Sequence, residues 1–97
     1  MPKFSLTNKN VIVTGGGSGI GKAISLNFAK QGAIINVLDI NEESAIKTVD
    51  KIKSKNGKAE AYKCDVSNNK NVIEVFKKIK KSNSIDILIN NAGIAHI

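Results

Sequence analysis

The chain has 97 residues, 41% of them apolar and 24% charged, enough for one small domain with a buried core and too apolar for a disordered segment. Fifteen lysines against eight acids give a net charge of +7 with no arginine and no tryptophan, and because nucleic-acid recognition leans on arginine and aromatic stacking, that charge does not by itself argue for such a partner. A single cysteine excludes a disulfide framework and a cysteine-rich metal site, and neither a signal peptide nor a bilayer-spanning run is visible, so the expectation is a soluble, reduced, cytoplasmic protein without a membrane partner.

Apolar runs of strand length alternate with segments of helical period. Asn10 to Thr14 is a short β-branched run that stops at glycines, as a buried strand does. Ile20, Ile24 and Phe28 recur every four residues and predict a helix from about Gly19 to Gln31, with Gly32 in the left-handed cap position. Ile34 to Asp39 is the second strand. Asn41 is the expected N-cap of the next helix, with Glu42 and Glu43 in the first turn, where the dipole favours anions. Ala45, Val49 and Ile52 carry its stripe to about Lys55, and Gly57 is expected to close it. Ala59 to Cys64 reads as the third strand. Ser67 or Asn68 caps a third helix striped by Val72, Val75, Phe76 and Ile79, with most of its lysines on the solvated face. Ile85 to Asn90 is the fourth strand. The order β-α-β-α-β-α-β with short connections predicts an α/β fold, a doubly wound parallel sheet of about four strands and three helices. Such sheets bind ligands at their carboxyl edge.

Thr14-Gly15-Gly16-Gly17-Ser18-Gly19-Ile20-Gly21 leaves a strand and opens a helix, the context a dinucleotide fingerprint requires. Gly15 permits the tight turn, Gly19 lets backbone approach a pyrophosphate, and Gly21 lets the helix lie close to the first strand. The amides around Ser18, Gly19 and Ile20 then face the phosphates, aided by the helix dipole. A loop this rich in glycine, five in eight residues, can also be merely flexible. The NTPase phosphate loop does not fit, because Gly21-Lys22 is followed by Ala23 and leaves no hydroxyl for magnesium. Asp39 ends the second strand, 18 residues after Gly21, near the spacing of an acid that takes the adenosine ribose hydroxyls; the alternative is a capping aspartate before Asn41. Asp65 and Val66 follow the third strand, where a carboxylate can accept from the adenine amine and a valine can pack on the ring. Asp65 as a helix-entry residue is the competing reading. Cys64 reads as a small strand residue.

TGGGSGIG at 14–21, Asp39, Asp65-Val66 and NNAG at 90–93 together resemble the short-chain dehydrogenase/reductase family, in this order and spacing and over almost the whole chain. The resemblance implies a Rossmann-type fold in which residues 1–97 form the amino-terminal part of an NAD(P)-binding domain. It also implies a strand order of 3-2-1-4 that leaves Ile85–Asn90 at an open edge. It assigns the pyrophosphate to the loop of Gly15, Gly17, Ser18, Gly19, Ile20 and Gly21. Adenine goes to Asp65 and Val66, and the sheet-steadying turn beside the ribose is Asn90, Asn91, Ala92 and Gly93. It implies NAD(H) as partner and hydride transfer to or from a small alcohol or carbonyl as the activity, with a homo-oligomer as the full-length form.

The family's catalytic Tyr-x-x-x-Lys pair does not occur here: the single tyrosine, Tyr62, is followed four residues later by Val66, and the single histidine, His96, has no partner. The expectation is therefore an oxidoreductase represented by its cofactor-binding part, inactive alone. The alternatives are a standalone dinucleotide-binding module or pseudoenzyme subunit, and a basic interaction protein using its lysines.

Overall fold

The computed structural model describes residues 5–91. Seven elements alternate through them: β1 (Asn10–Thr14), α1 (Gly19–Lys30), β2 (Ile34–Asp39), α2 (Glu42–Ser54), β3 (Lys58–Lys63), α3 (Asn69–Ser82) and β4 (Ile87–Asn90). The four strands form one parallel sheet in the order β3-β2-β1-β4. β1 is buried at every position and β2 at its four middle ones, because a central parallel strand is covered on both faces and so reads as continuous apolar sequence. The edge strands alternate instead. β3 exposes Lys58 and Glu60 while burying Ala59, and β4 half-buries Ile87 and Ile89 while exposing Leu88.

The two faces of the sheet are packed unequally. Val11, Val13, Ile35 and Val37 pack against Ala45, Val49 and Ile52 of α2, with Ile24 and Phe28 of α1 closing over them. On the opposite face, Ile12, Leu38 and Cys64 meet Val75 and Ile79 of α3. Burying one aliphatic side chain of this kind stabilises the fold by about 1.5–3 kcal/mol. Leu88 shares the α3 face through its pairing with Ile12, yet remains 51% exposed.

At the amino edge of the sheet a buried polar cluster fixes strand register. Asn36 donates from Nδ2 to Asn10 Oδ1 (2.8 Å) and to the Val11 carbonyl (3.0 Å). Asn10 donates from its own amide to Asp86 Oδ2 (2.8 Å), while the Asp86 amide donates to the Asn10 carbonyl (2.8 Å). These bonds satisfy polar groups that would be costly to bury unpaired.

Several expected boundaries move. β4 begins at Ile87 rather than Ile85, because the residues before it are engaged by Asn10: Nδ2 of Asn10 donates to the Ser84 carbonyl at 3.2 Å and Asp86 bonds its backbone. β3 runs one residue earlier than expected, since its partners are Ile34 to Asp39 in register from Lys58 to Lys63. α2 is not closed by Gly57. Asn56 takes the left-handed conformation (φ 68°), which asparagine tolerates, and Gly57 is needed for space, since a Cβ there would lie 2.6 Å from Ile52 Cγ2. Of the two cap candidates for α3, Asn68 is used, its Oδ1 accepting from the Asn71 amide at 3.1 Å.

Candidate functional site

The carboxyl ends of β1, β2 and β3 bring the glycine loop, Asp39 and Asp65-Val66 together. Gly15, Asp39, Ile40, Cys64, Asp65 and Val66 line one cleft of about 130 Å³. Ile40 and Val66, 62% and 39% exposed, present apolar side chains at its mouth, so the cleft combines apolar walls with two carboxylates. Cys64, behind it, is buried; burial and the neighbouring Asp65 push its thiol up from the usual range.

The glycine loop is held along its length. The amides of Gly15 and Gly16 both donate to the Leu38 carbonyl, at 2.7 and 3.3 Å. The Gly17 amide donates to Asp39 Oδ2 at 3.0 Å. Asn91 donates from Nδ2 to the Gly15 carbonyl at 3.2 Å. Gly17 must lack a side chain, because a Cβ would lie 2.7 Å from Ser44 Cβ and 2.9 Å from the Ala45 amide of α2. Gly21 is required by a different contact from the one expected: its missing Cβ would collide with the Gly15 carbonyl in the turn and approach Asn91 Nδ2, rather than β1 itself.

Beyond Gly17 the loop opens. Ser18, Gly19 and Ile20 are exposed, Ile20 by 72%. Gly19 has φ +56° and empty space where a Cβ would stand. Ser18 is the N-cap of α1 without a side-chain cap bond, and the amides of Ser18, Gly19 and Ile20 find no hydrogen-bond acceptor among the described residues. Three free donors at the positive end of a helix make a cradle for an anion.

Both carboxylate oxygens of Asp39 accept backbone amides. Oδ1 accepts from the Asn41 amide at 3.0 Å, as a capping residue does, while Oδ2 faces the glycine loop through Gly17. Asp65 is a helix-entry residue in geometry: Oδ1 accepts from the Ser67 hydroxyl (2.6 Å) and amide (3.0 Å), and these bonds, the hydroxyl first, hold its carboxyl below the usual carboxylate range. Asp65 lines the cleft. Asn90 Oδ1 accepts from the Thr14 hydroxyl at 2.9 Å, and that hydroxyl accepts from the Asn91 amide at 2.9 Å, so the end of β4 is tied to the end of β1. Ala92, Gly93 and His96 lie outside the described residues.

Two contributors are missed by sequence reasoning. Thr14, read only as the first letter of a motif, joins β1 to β4. Thr48, not singled out from the sequence, is fully buried beneath the glycine loop, its hydroxyl donating to the Gly17 carbonyl at 3.3 Å. The signal for Thr48 is its spacing, since Ala45, Thr48, Val49 and Ile52 form an i, i+3, i+4, i+7 stripe. Among the described residues no group of three or more histidine, cysteine or acidic side chains is placed to hold a metal, and no helix is long and apolar enough to cross a membrane.

Comparison with known proteins agrees with this geometry. The family model for short chain dehydrogenase matches residues 9–97. The short-chain dehydrogenase/reductase homolog YusS of Bacillus subtilis is 42% identical over 93 residues, covering 94% of this chain and 85% of its own length. The 7alpha-hydroxysteroid dehydrogenase of Escherichia coli is 42% identical over 89 residues, covering 91% of this chain and 35% of that protein. The solved structure of a 7 alpha-hydroxysteroid dehydrogenase complexed with NADH and 7-oxo glycochenodeoxycholic acid superposes with a TM-score of 0.88 at 41% identity, over 92% of this chain and 35% of that one. A putative D-mannonate oxidoreductase from Haemophilus influenza, with bound NAD, gives 0.83 at 36% identity, over 87% and 30%. Apart from YusS, the chain spans about a third of the length of these curated relatives.

Proposed function

Because this chain belongs to the short-chain dehydrogenase/reductase family, we propose that the carboxyl edge of its sheet binds the adenosine and pyrophosphate of NAD(H), and that the activity it serves is hydride transfer between that cofactor and an alcohol or carbonyl. The observation that carries the reading is the run of three exposed amides at Ser18, Gly19 and Ile20, without an acceptor among the described residues, beside a cleft bordered by Asp39, Asp65 and Val66. When bound, the nicotinamide supplies the hydride acceptor or donor. The chain's own residues bind and orient. The three amides and the dipole of α1 hold the phosphates, with Gly15, Gly17 and Gly21 keeping the loop thin enough for that approach. Asp39 accepts from the ribose hydroxyls; Asp65 accepts from the adenine amine through the oxygen not engaged by Ser67; Val66 and Ile40 pack on the ring. Asn90 and Asn91, with Ala92 and Gly93 after them, border the ribose.

The preference is for NAD(H) over NADP(H). The Asp39 carboxylate repels a 2′-phosphate, and neither Ser18 nor Ile40 carries a charge to neutralise one. Lost ribose bonds and gained repulsion are worth about 1.4–3 kcal/mol, tenfold to over a hundredfold in affinity. The 97-residue chain binds without catalysing: Tyr62 lies within β3, where burial and Glu60 raise its hydroxyl pKa, and no lysine follows it at the required spacing. A second reading, a dinucleotide-binding module that works without a catalytic half, is favoured by the match over 85% of YusS.

Titration with NADH, followed by cofactor fluorescence against a protein without tryptophan, tests the assignment. Saturable binding displaced better by NAD than by NADP is expected, and Asp39→Ala with Ile40→Arg should narrow or reverse that preference. Absence of binding, or tighter NADP binding by the unsubstituted chain, would sink it. Turnover of a carbonyl substrate by the 97-residue chain would overturn its inactivity.

A further inference from the structure

The open end of the glycine loop has a counterpart on its covered side. Gly17 is gripped at both of its polar groups: its amide donates to Asp39 Oδ2 at 3.0 Å, and its carbonyl accepts from the Thr48 hydroxyl at 3.3 Å. Thr48 lies in the middle of α2 with no solvent exposure. A threonine inside a helix ordinarily turns its hydroxyl back to a carbonyl of its own preceding turn, whereas this one reaches a residue 31 positions away in sequence. Room for the contact exists only because Gly17 has no Cβ, which would strike Ser44 and the Ala45 amide of the same helix.

The carbonyl of Gly17 and the amide of Ser18 belong to one planar trans peptide, so they point in opposite directions. Fixing the carbonyl toward α2 therefore aims the Ser18 amide away from α2, to the exposed side where Gly19 and Ile20 also present theirs. We infer that Thr48 is a positioning residue for the dinucleotide: through the Gly17 peptide it sets the direction of the first phosphate-facing amide and keeps Gly17 in place as the partner of Asp39. The inference rests on the reading of this edge as an NAD(H) site and adds to it a residue that touches no ligand. Thr48 carries no charge, so its effect is one of geometry alone.

Replacing Thr48 with valine keeps the shape and removes the hydroxyl; replacing it with serine keeps the hydroxyl and removes the buried methyl. The two variants lose stability by different routes, the first by leaving a buried carbonyl unpaired and the second by leaving a small cavity. If Thr48 positions the loop, Thr48→Val weakens NADH binding about fivefold to tenfold, the scale of one hydrogen bond. Thr48→Ser then binds within about twofold of the unsubstituted chain whatever its melting temperature. The valine effect should also shrink in an Asp39→Asn background, because the two residues hold Gly17 from its two sides, one at its carbonyl and the other at its amide. Should Thr48→Val not fold, Thr48→Cys, a weak donor of serine's size, takes its place and should bind more weakly than Thr48→Ser. Affinity that follows melting temperature instead of the hydroxyl, or a valine variant that binds NADH as the parent does, overturns the inference alone. A parent chain that does not bind NADH overturns the reading of the site and this inference with it.

Discussion

The loops after β1 and after β3 leave the same edge of the same sheet, yet they are held in different ways. The glycine loop is fastened by groups far away in sequence: Leu38, Asp39, Thr48 and Asn91 each bond its backbone. The loop after β3 is fastened by its own neighbours, Ser67 and Asn71 bonding Asp65 within six residues. The glycine loop thus takes its shape from the assembled fold, and the loop after β3 from a local turn that its own sequence encodes. Changes on the first side should register in global stability, and changes on the second in binding or titration alone.

The strongest way to break the contrast is Gly17→Ala. Its methyl group meets Ser44 and the backbone of α2, neither of which can yield as a flexible side chain would, and the expected cost is about 1–3 kcal/mol. Urea unfolding of the chain with an unchanged denaturant slope measures it. A neutral substitution would show that α2 does not seat the loop.

Asn91→Ala comes next. It removes the donor to the Gly15 carbonyl, a link spanning 76 residues, and should cost about 0.5–1.5 kcal/mol in the same assay. On the other side, Val66→Ala should leave stability within about 0.5 kcal/mol, because the side chain is already 39% exposed. It should still lower NADH affinity if the ring packs there. A stability loss as large as that of Asn91→Ala would erase the distinction between the two loops.

The smallest effect sharpens the comparison by pH. Ser67 lowers the pKa of Asp65 by bonding its charged form. A depressed carboxylate pKa gives stability that is present above the unfolded value and is lost as pH falls through the folded value. The dependence therefore lies on the acid side of the ordinary carboxylate range and is absent at neutral pH. Ser67→Ala should return the Asp65 titration toward that ordinary range, as read from its carboxyl carbon by NMR, with no change in the glycine loop's amide signals. Movement of the Gly15 to Ser18 signals through the same titration would couple the two loops after all.

Much of this architecture is legible from residue order. The bounds of β1 and β2, the Asn41 cap, the left-handed Gly32 and the stripes of α2 and α3 follow from local periodicity and capping chemistry, whereas the stripe expected for α1 holds at Ile24 and Phe28 and fails at Ile20, which stands 72% exposed at the opening of the helix. The parallel sheet follows from short connections between alternating elements, and the strand order β3-β2-β1-β4 is the one implied by resemblance to the dehydrogenase family. Where local chemistry allows two solutions, sequence alone does not choose. Asn56 rather than Gly57 takes the left-handed turn, and Asp39 bonds both the amide of the Asn41 cap and the glycine loop.

The tertiary structure decided which polar residues serve the site and which serve the sheet. Asn36 bonds Asn10, which in turn bonds Asp86, within the sheet, and Thr48, on the buried stripe of α2, holds the Gly17 carbonyl. Periodicity reports which face of an element is buried. It carries no information about the backbone group that a distant crossover brings over that face, and such contacts exist only once β1, β2 and α2 are assembled.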